Sequence, residues 1–502
     1  MTIEDLRSAS DRARAGGDAS KLGNKLPVRR RLELLFDDGS FVEDGLLARA
    51  LSDDLPADGV ITGVGRVGGR HAAVIAHDPS VKAGSWGLYT VEKQIRILER
   101  ALDDALPVFY LVDSAGGRLT EQTGFFPGRR GAARIFDLQI ALSGFVPQIC
   151  VMLGPATAGG AYMPMFCDWV GMVEGNASMS LASARVAEVV VAEKVSLEDM
   201  GGARVHTTIS GCADERFADD ASALDRAWEL FGYLPTNSRS DPPHMPAQVP
   251  AFEDWRGLIP EDPRAGYDIR RLIERLVDAG SLLEVKREWA PEIVVGLARL
   301  EGRVIGIVAN QPMVKGGAIF VDSSDKAARF ITWCDAFNIP LIFLVDVPGF
   351  MVGSAVEHAG ILRHGAKMIS AMARAEVPRF CVVVRKAYAA GYYAMSCPGF
   401  RARATIALPT AEIGAMSADA AVDAVYRRKT DAMTDPAERE QFVAARRQEY
   451  AVDLDLLRLA SDLHVDAVVE NEQLRGELAR RLQAAEGWSR QPPRRHQAVV
   501  PV

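Results

Sequence analysis

The chain repeats itself. Displaced by 233 positions (296 less 63), Gly63 falls on Gly296, Arg66 on Arg299, Gly69-Arg70 on Gly302-Arg303 and Pro79 on Pro312. The register continues without a gap through Val81-Lys82 on Val314-Lys315, Gly84 on Gly317, Lys93 on Lys326, Pro107 on Pro340 and Leu111-Val112-Asp113 on Leu344-Val345-Asp346. It resumes slightly shorter, where Val146-Pro147 meets Val377-Pro378 and Gly160 meets Gly391. Many of these matches are Gly or Pro, the residues that punctuate turns, so a shared pattern of them implies a shared backbone. Two tandem domains of one fold are therefore expected. A length of 502 residues agrees, since single cores stop growing well below that size.

The halves meet at a proline-dense segment holding Pro235, Pro242, Pro243, Pro246, Pro250, Pro260 and Pro263. Proline at that density blocks helices and central strands, so residues 241–263 read as a linker between domains 1–240 and 264–490. The Pro/Arg-rich end, 491–502, reads as a loose tail. Within each half, short apolar runs alternate with helical stretches. His71–His77, Val108–Val112 and Ile149–Leu153 in the first half parallel Val304–Asn310, Leu341–Val345 and Cys381–Val384 in the second. Runs of this kind suit strands covered on both faces. Thr90–Asp104, Ser323–Phe337 and Arg363–Ala375 read as helices, and so does the Ala/Glu/Arg/Leu-rich stretch 418–487. The fold class is α/β: two successive strands followed by repeated βα units with right-handed crossovers.

Composition removes several functions. A net charge of −8 gives no support for nucleic-acid binding. Residues 1–24 lack a secretory apolar region, and no run of about 18 apolar residues marks a membrane span. The six cysteines are scattered and form no CxxC pair, so neither a zinc ribbon nor a disulfide framework is expected, and a reducing cytoplasm fits. Gly63-Val-Gly65-Arg-Val-Gly68 matches a dinucleotide-binding pattern, but an apolar strand follows where a helix is required, so it reads as a β-turn. Neither a Walker A sequence nor a Met-Lys-Met biotinylation site occurs. His206, His358 and His364 are isolated and read as packing or hydrogen-bonding residues. Asp113 and Asp346 end strands in both halves; each reads as a catalytic carboxylate or as an acceptor that holds the next loop.

Two loops carry the strongest signal for chemistry. Gly154-Pro-Ala-Thr-Ala-Gly159-Gly160-Ala161-Tyr162 and Arg385-Lys-Ala-Tyr-Ala389-Ala390-Gly391-Tyr392-Tyr393 follow apolar strands at matching positions of the repeat. Small residues let a ligand oxygen approach backbone N–H groups, and such groups at the start of a helix lack intrahelical partners. Two donors aimed at one developing oxyanion lower a barrier by several kcal/mol. Tight strand–helix packing would also select small residues, but recurrence in both halves favours a duplicated oxyanion hole. Asp113-Ser-Ala-Gly-Gly-Arg118, Val81-Lys-Ala-Gly84, Val314-Lys-Gly-Gly317 and Asp346-Val-Pro-Gly-Phe350 add loops at strand ends, where ligands of α/β sheets collect.

These loops, together with Gly84-Ser-Trp-Gly87, Phe126-Pro-Gly-Arg-Arg130, Glu198-Asp-Met-Gly-Gly-Ala203, Ala309-Asn-Gln-Pro312, Phe337-Asn-Ile-Pro-Leu341, Arg363-His-Gly-Ala-Lys367 and Pro409-Thr-Ala-Glu412, make the chain resemble the carboxyltransferase β subunits of propionyl-CoA, acetyl-CoA and 3-methylcrotonyl-CoA carboxylases. The resemblance spans roughly residues 20–490. It implies two crotonase-like (ββα-spiral) domains, assembly as a hexamer, and an active site shared between neighbouring subunits. It implies transfer of a carboxyl group from carboxybiotin, borne by a separate biotin carboxylase or carboxyl-carrier partner, to a short-chain acyl-CoA. Biotin N1 would supply the base and the protein two oxyanion holes. Carried over residue by residue, the catalytic amides fall at Gly159, Gly160, Ala390 and Gly391. Coenzyme A contacts fall at Ala115, Gly116, Gly117, Arg118 and Ala158, with Tyr393 at the acyl-selectivity position. Biotin contacts fall at Gly349, Phe350, Ala389 and Tyr392. No metal is implied. Ala389 and Ala390 stand where many relatives have glycine, which retains the N–H groups and restricts the loop. The same holes would also serve a biotin-dependent decarboxylase or transcarboxylase, and a non-catalytic scaffold of the same fold is the further alternative.

Overall fold

The structure is a computed structural model and describes residues 2–51, 55–250 and 254–488, so the expected tail at 491–502 lies outside the described residues. Two compact units divide the chain, Met1–Pro243 and His244–Val502. In the first, β1 (Val42–Asp44), β2 (Val60–Val67), β3 (Arg70–His77), β4 (Val108–Ser114), β5 (Gln148–Thr157), β6 (Trp169–Val173), β7 (Ser178–Ser180) and β8 (Glu215–Phe217) form one sheet. Its order is β1-β2-β3-β4-β5-β6-β8, with β7 beside the end of β5. In the second, β9 (Leu283–Val285), β10 (Ile293–Leu300), β11 (Arg303–Asn310), β12 (Leu341–Val347), β13 (Arg379–Tyr388), β14 (Ala404–Ala407), β15 (Glu412–Gly414) and β16 (Ala467–Val468) take the same order, β9-β10-β11-β12-β13-β14-β16, with β15 beside β13. The duplication legible in the sequence is thus a duplication of topology.

The first three strands of each sheet are antiparallel and the rest parallel. Helices Leu88–Asp104 and Ala133–Leu142 make the first two crossovers of one unit, and Val321–Ala336 and Ile361–Arg374 those of the other. The Gly-rich pattern at 63–68 lies in β2 and its hairpin: Gly68 (φ 55°) and Gly69 (φ 80°) turn left-handed, and Asp37 accepts both of their amides. Glu301 and Gly302 repeat this turn over Asp278. β4 and β12 are buried along their whole length, as their uninterrupted apolar sequence requires.

One segment differs from its sequence reading. The stretch 418–487 is helical at Ala418–Asp431, Pro436–Asp453, Leu456–Ser461 and Leu474–Ala484, but Ala467–Val468 pairs with β14 as an edge strand. The chain after Pro243, the segment expected to link the domains, is tied to the second unit. Met245 donates its amide to Gly302, Gln248 accepts from Ala279, and Trp255, Leu258 and Ile259 are buried in the second core. Proline density keeps this stretch extended, and its apolar residues tie it down.

A buried lysine recurs at the start of each sheet. Lys93 gives its ammonium to the carbonyls of Ala57 and Val60, and Lys326 gives its own to those of Trp289 (2.8 Å), Ala290 (3.3 Å) and Ile293 (2.8 Å). Both loops pass through left-handed alanines, Ala57 (φ 50°) and Ala290 (φ 46°). Burial lowers Lys93 to about 8 and Lys326 to about 7. The unfolded chain keeps the Lys326 proton up to the ordinary 10.5, so between about 7 and 10.5 it binds more protons than the folded chain. Stability contributed by the group therefore rises with pH across that window. Lys326→Met removes the donor that these buried carbonyls share and is expected to lower the unfolding free energy by about 2–3 kcal/mol at pH 9. The deficit should narrow at pH 6.5, where the wild type bears the cost of burying a charge; denaturant titrations at both pH values measure the difference.

Candidate functional site

A carboxylate sits at a bulge in both sheets. Between β4 and β5 the register runs Val112↔Met152 and then Ser114↔Ala156, so Asp113 faces an excursion of the neighbouring strand. Between β12 and β13 it runs Val345↔Val383 and then Val347↔Ala387, with Asp346 at the same place. Asp113 accepts from Lys25 Nζ at 2.8 Å and from both terminal nitrogens of Arg31 at 3.2 and 3.1 Å. Burial pushes its carboxyl above the usual range, against the pull of Arg31 and Lys25. Asp346 accepts from Arg385 Nε at 3.0 Å and from the Lys386 amide at 3.3 Å, and pairs with Lys386 Nζ at 3.2 Å. A Cβ at Gly154 would lie 1.8 Å from Asp113 Oδ1, so only glycine fits there. Both aspartates are acceptors that brace the strand leading into the next loop, as one of the two sequence readings held.

Beyond the bulge the two strands end in the same turn. Thr157 is extended (φ −121°), Ala158 is left-handed (φ 56°), and Ala158–Ala161 begins a helical turn. In the second unit Tyr388 is extended (φ −112°), Ala389 is left-handed (φ 51°), and helix Ala389–Ala394 follows. A left-handed alanine costs about 1–2 kcal/mol, and strain of this kind concentrates at functional sites. Gly159, Ala389 and Ala390 are exposed and Gly160 is partly so. The first amides of each turn have no carbonyl one helical turn before them.

The two turns use glycine for different reasons. A Cβ on Gly159 would come no closer than 4.0 Å to Phe136 Cζ, and one on Gly160 no closer than 3.9 Å to Trp86 Cζ2. Packing does not demand either glycine, so tight strand–helix contact does not account for them. Gly391 is buried, and its Cβ would lie 2.8 Å from Gly349 Cα and 2.9 Å from Val347 Cγ2. Packing does demand that glycine.

The neighbouring loops also repeat. The Trp86 amide donates to Gly116 O and the Arg118 amide to Trp86 O, each at 2.8 Å. In the second unit Ile319 donates to Gly349 O at 3.1 Å and Met351 to Ile319 O at 2.8 Å. Gly116 (φ 94°) and Gly349 (φ 137°) have conformations that suit glycine, and a Cβ at Gly349 would meet open space. A Cβ at Gly117 would strike Phe125 Cζ at 2.5 Å. Ala115 hydrogen-bonds Ala83 O at 3.0 Å and is exposed. Arg118 turns its guanidinium inward, to Asp58 Oδ1 at 2.6 Å and Asp58 O at 3.1 Å, so this loop offers backbone rather than charge. Phe350 is half-buried against Gly365. Tyr392 is buried and burial pushes its phenol well up, whereas Tyr393 is 52% exposed beside Phe400.

Sequence reasoning left some of this unseen. Lys82, Ala83 and Gly84 are all left-handed, as are Lys315, Gly316 and Gly317; of these only the glycines signal the turn. Trp86 donates its indole N–H to His77 Nε2 at 3.0 Å. Burial lowers His77 to about 4, so its imidazole is the neutral acceptor. His206 bonds Met179 O and Ser210, and His364 bonds Asp325, both through 2.8 Å contacts. His358 ends the short helix Ser354–His358. Among the described residues there is no cluster of potential metal ligands and no helix long and apolar enough to cross a membrane.

Residues 20–499 match the carboxyl transferase domain family. An uncharacterized carboxylase, YngE, of Bacillus subtilis is 52% identical, covering 95% of this chain and 94% of the relative. The carboxyltransferase subunit of propionyl-CoA carboxylase from Haloferax mediterranei is 36% identical over the whole of both chains. Among solved structures, hexameric transcarboxylase 12S, with methylmalonyl-coenzyme A bound, is similar with a TM-score of 0.93 and 34% identity. That similarity covers 100% of this chain and 98% of the transcarboxylase chain.

The contrast between the turns is open to a stability measurement. Gly159→Ala and Gly160→Ala are expected to shift the unfolding free energy by less than about 0.5 kcal/mol, while Gly391→Ala should cost about 1–3 kcal/mol through overpacking against Gly349. Thermal unfolding of the three variants measures the order.

Proposed function

The chain belongs to the carboxyl transferase domain family, and from that premise we propose that it is the carboxyltransferase subunit of a biotin-dependent acyl-CoA carboxylase, with a short-chain acyl-CoA as carboxyl acceptor. The observation that carries this reading is the extended, left-handed, helical turn at equivalent places of both units. A reaction that develops negative charge on two oxygens calls for two such cradles.

The Gly159 and Gly160 amides hold the thioester oxygen as charge builds on it. One such donor is worth about 2.7–4 kcal/mol in a site closed to water. A Cβ at either glycine would meet no atom nearer than 3.9 Å, so no neighbour crowds the approach of a thioester. The loop Ala115–Arg118 offers its backbone to the coenzyme A moiety, and Ala158 sets the direction of the amides that follow it. In the second unit the Ala390 and Gly391 amides, with Ala389, Gly349, Phe350 and Tyr392 around them, would hold biotin; the free space beside Gly349 and the exposure of Ala389 and Ala390 fit that group. When bound, biotin supplies the transferable carboxyl group and the base for the acyl α-proton. That division explains why the buried carboxylates are spent on structure. The biotin arrives on a carrier partner with its carboxylase. Similarity to transcarboxylase 12S supports a hexamer. Six cysteines outside any disulfide, five of them buried, suit the cytoplasm.

Reconstitution with a biotin carboxylase, a biotinylated carrier, ATP, bicarbonate and a panel of acyl-CoAs tests the reading, with the carboxylated thioester detected by mass. ATP-dependent product is expected. Gly160→Val should reduce transfer at least about 100-fold while the oligomer's mass in solution stays unchanged; full turnover in that folded variant contradicts the assignment. Tyr393→Ala is expected to change the ratio of kcat/KM between acetyl- and butyryl-CoA, and an unaltered ratio removes Tyr393 from substrate selection.

A further inference from the structure

We propose that Trp86 and Phe136 form the wall that limits the size of the acyl group over the Gly159-Gly160 turn, and that His77 is the positioning residue that fixes Trp86. The proposal rests on the reading of that turn as the thioester site.

The two rings stand beside the two glycines. Trp86 Cζ2 is 3.9 Å from the Cβ position of Gly160, and Phe136 Cζ is 4.0 Å from that of Gly159. Those are ordinary van der Waals distances, so a group lying over the turn meets an aromatic edge on each side. Trp86 is 4% exposed and held at both ends. Its backbone is pinned to Gly116 and Arg118, and its indole N–H is pinned to His77 Nε2. Phe136 is braced by Tyr162 and Phe166, with ring centroids 6.4 and 5.7 Å away. Trp86 cannot yield to a longer acyl chain without breaking its buried hydrogen bond to His77.

The second unit is an internal control. The counterpart of Trp86 is Ile319 and that of His77 is Asn310, and the second unit's crossover helix Ile361–Arg374, which matches the helix bearing Phe136, contains no Phe, Tyr or Trp. Asn310 uses its amide to bond Gly317 O and to accept from the Asp346 amide. The backbone scaffold was kept in both halves, but the aromatic wall and its histidine tie belong to the first. A requirement of the fold would have appeared twice.

The test is kcat/KM for acetyl-, propionyl-, butyryl- and 3-methylcrotonyl-CoA in wild type, Trp86→Leu and Phe136→Leu. Removing ring volume should raise butyryl relative to acetyl by about tenfold or more, the worth of a methylene-sized change in an apolar pocket. His77→Leu should move the ratio the same way by less, and His77→Gln, whose side-chain oxygen accepts the indole N–H, should restore it. Ratios unchanged in active Trp86→Leu and Phe136→Leu overturn the wall while leaving carboxyl transfer intact. Phe136 is only half-buried, so it serves if the Trp86 variant does not fold. A wild-type enzyme that carboxylates none of the four overturns the thioester reading and the wall with it.

Discussion

A buried carboxylate set into a β-bulge is the interaction on which both halves depend. Asp113 and Asp346 each face the place where the neighbouring strand holds extra residues, and each gathers cations there. A bulge bends its strand and redirects the chain beyond it. Here the redirected chain is the turn at Ala158 and the turn at Ala389. The bend leaves a buried acid to be neutralised, and the cost of an unpaired charge there would be several kcal/mol. The two units neutralise it differently. In the first, Arg31 and Lys25 come from far away in sequence, and Gly154 clears the space. In the second, Arg385 stands at the place of Gly154 and pairs from within the bulged strand itself. One geometry is thus held by two solutions.

Much of this is legible in the sequence. Glycines and prolines in register announced one topology used twice, because such residues record backbone shape. Apolar runs at Val108–Val112 and Leu341–Val345 announced central strands. The small residues after β5 and β13 announced turns, and their recurrence argued for function. What stayed hidden lies in dihedrals and partners. Nothing in an alanine declares φ near +55°, yet Ala158 and Ala389 both adopt it. Spacing does not tell whether a glycine clears room for a ligand or for a neighbouring chain; Gly160 does not crowd its neighbours and Gly391 does. The resemblance assigns Arg118 to coenzyme A, but its guanidinium is committed to Asp58. The Pro-rich stretch after Pro243 was read by composition, which does not reveal that Trp255 and Ile259 would find a core.

Divergence between the halves is concentrated in side chains around a constant backbone. The loops at Gly116 and Gly349 bond the chain after β3 and β11 in the same way. The ammonium clamps of Lys93 and Lys326 collect carbonyls at matching positions. Around this frame one unit carries Trp86 and Phe136, and the other has Ile319 and a crossover helix without Phe, Tyr or Trp. The same turn thus occurs in both units, and the side chains around it differ.

The left-handed residue that opens each turn has a consequence for how these sequences drift. Its alphabet is set by the dihedral angle: Gly, Ala, Asn and Asp are tolerable, while Val, Ile and Thr are barred by their branched Cβ. The next position is free of that restriction in both units, and the third is closed by Gly349 in one unit only. A motif compiled across homologues at these positions would therefore mix three kinds of constraint in adjacent columns, and its most invariant letter need not be the one that meets the substrate.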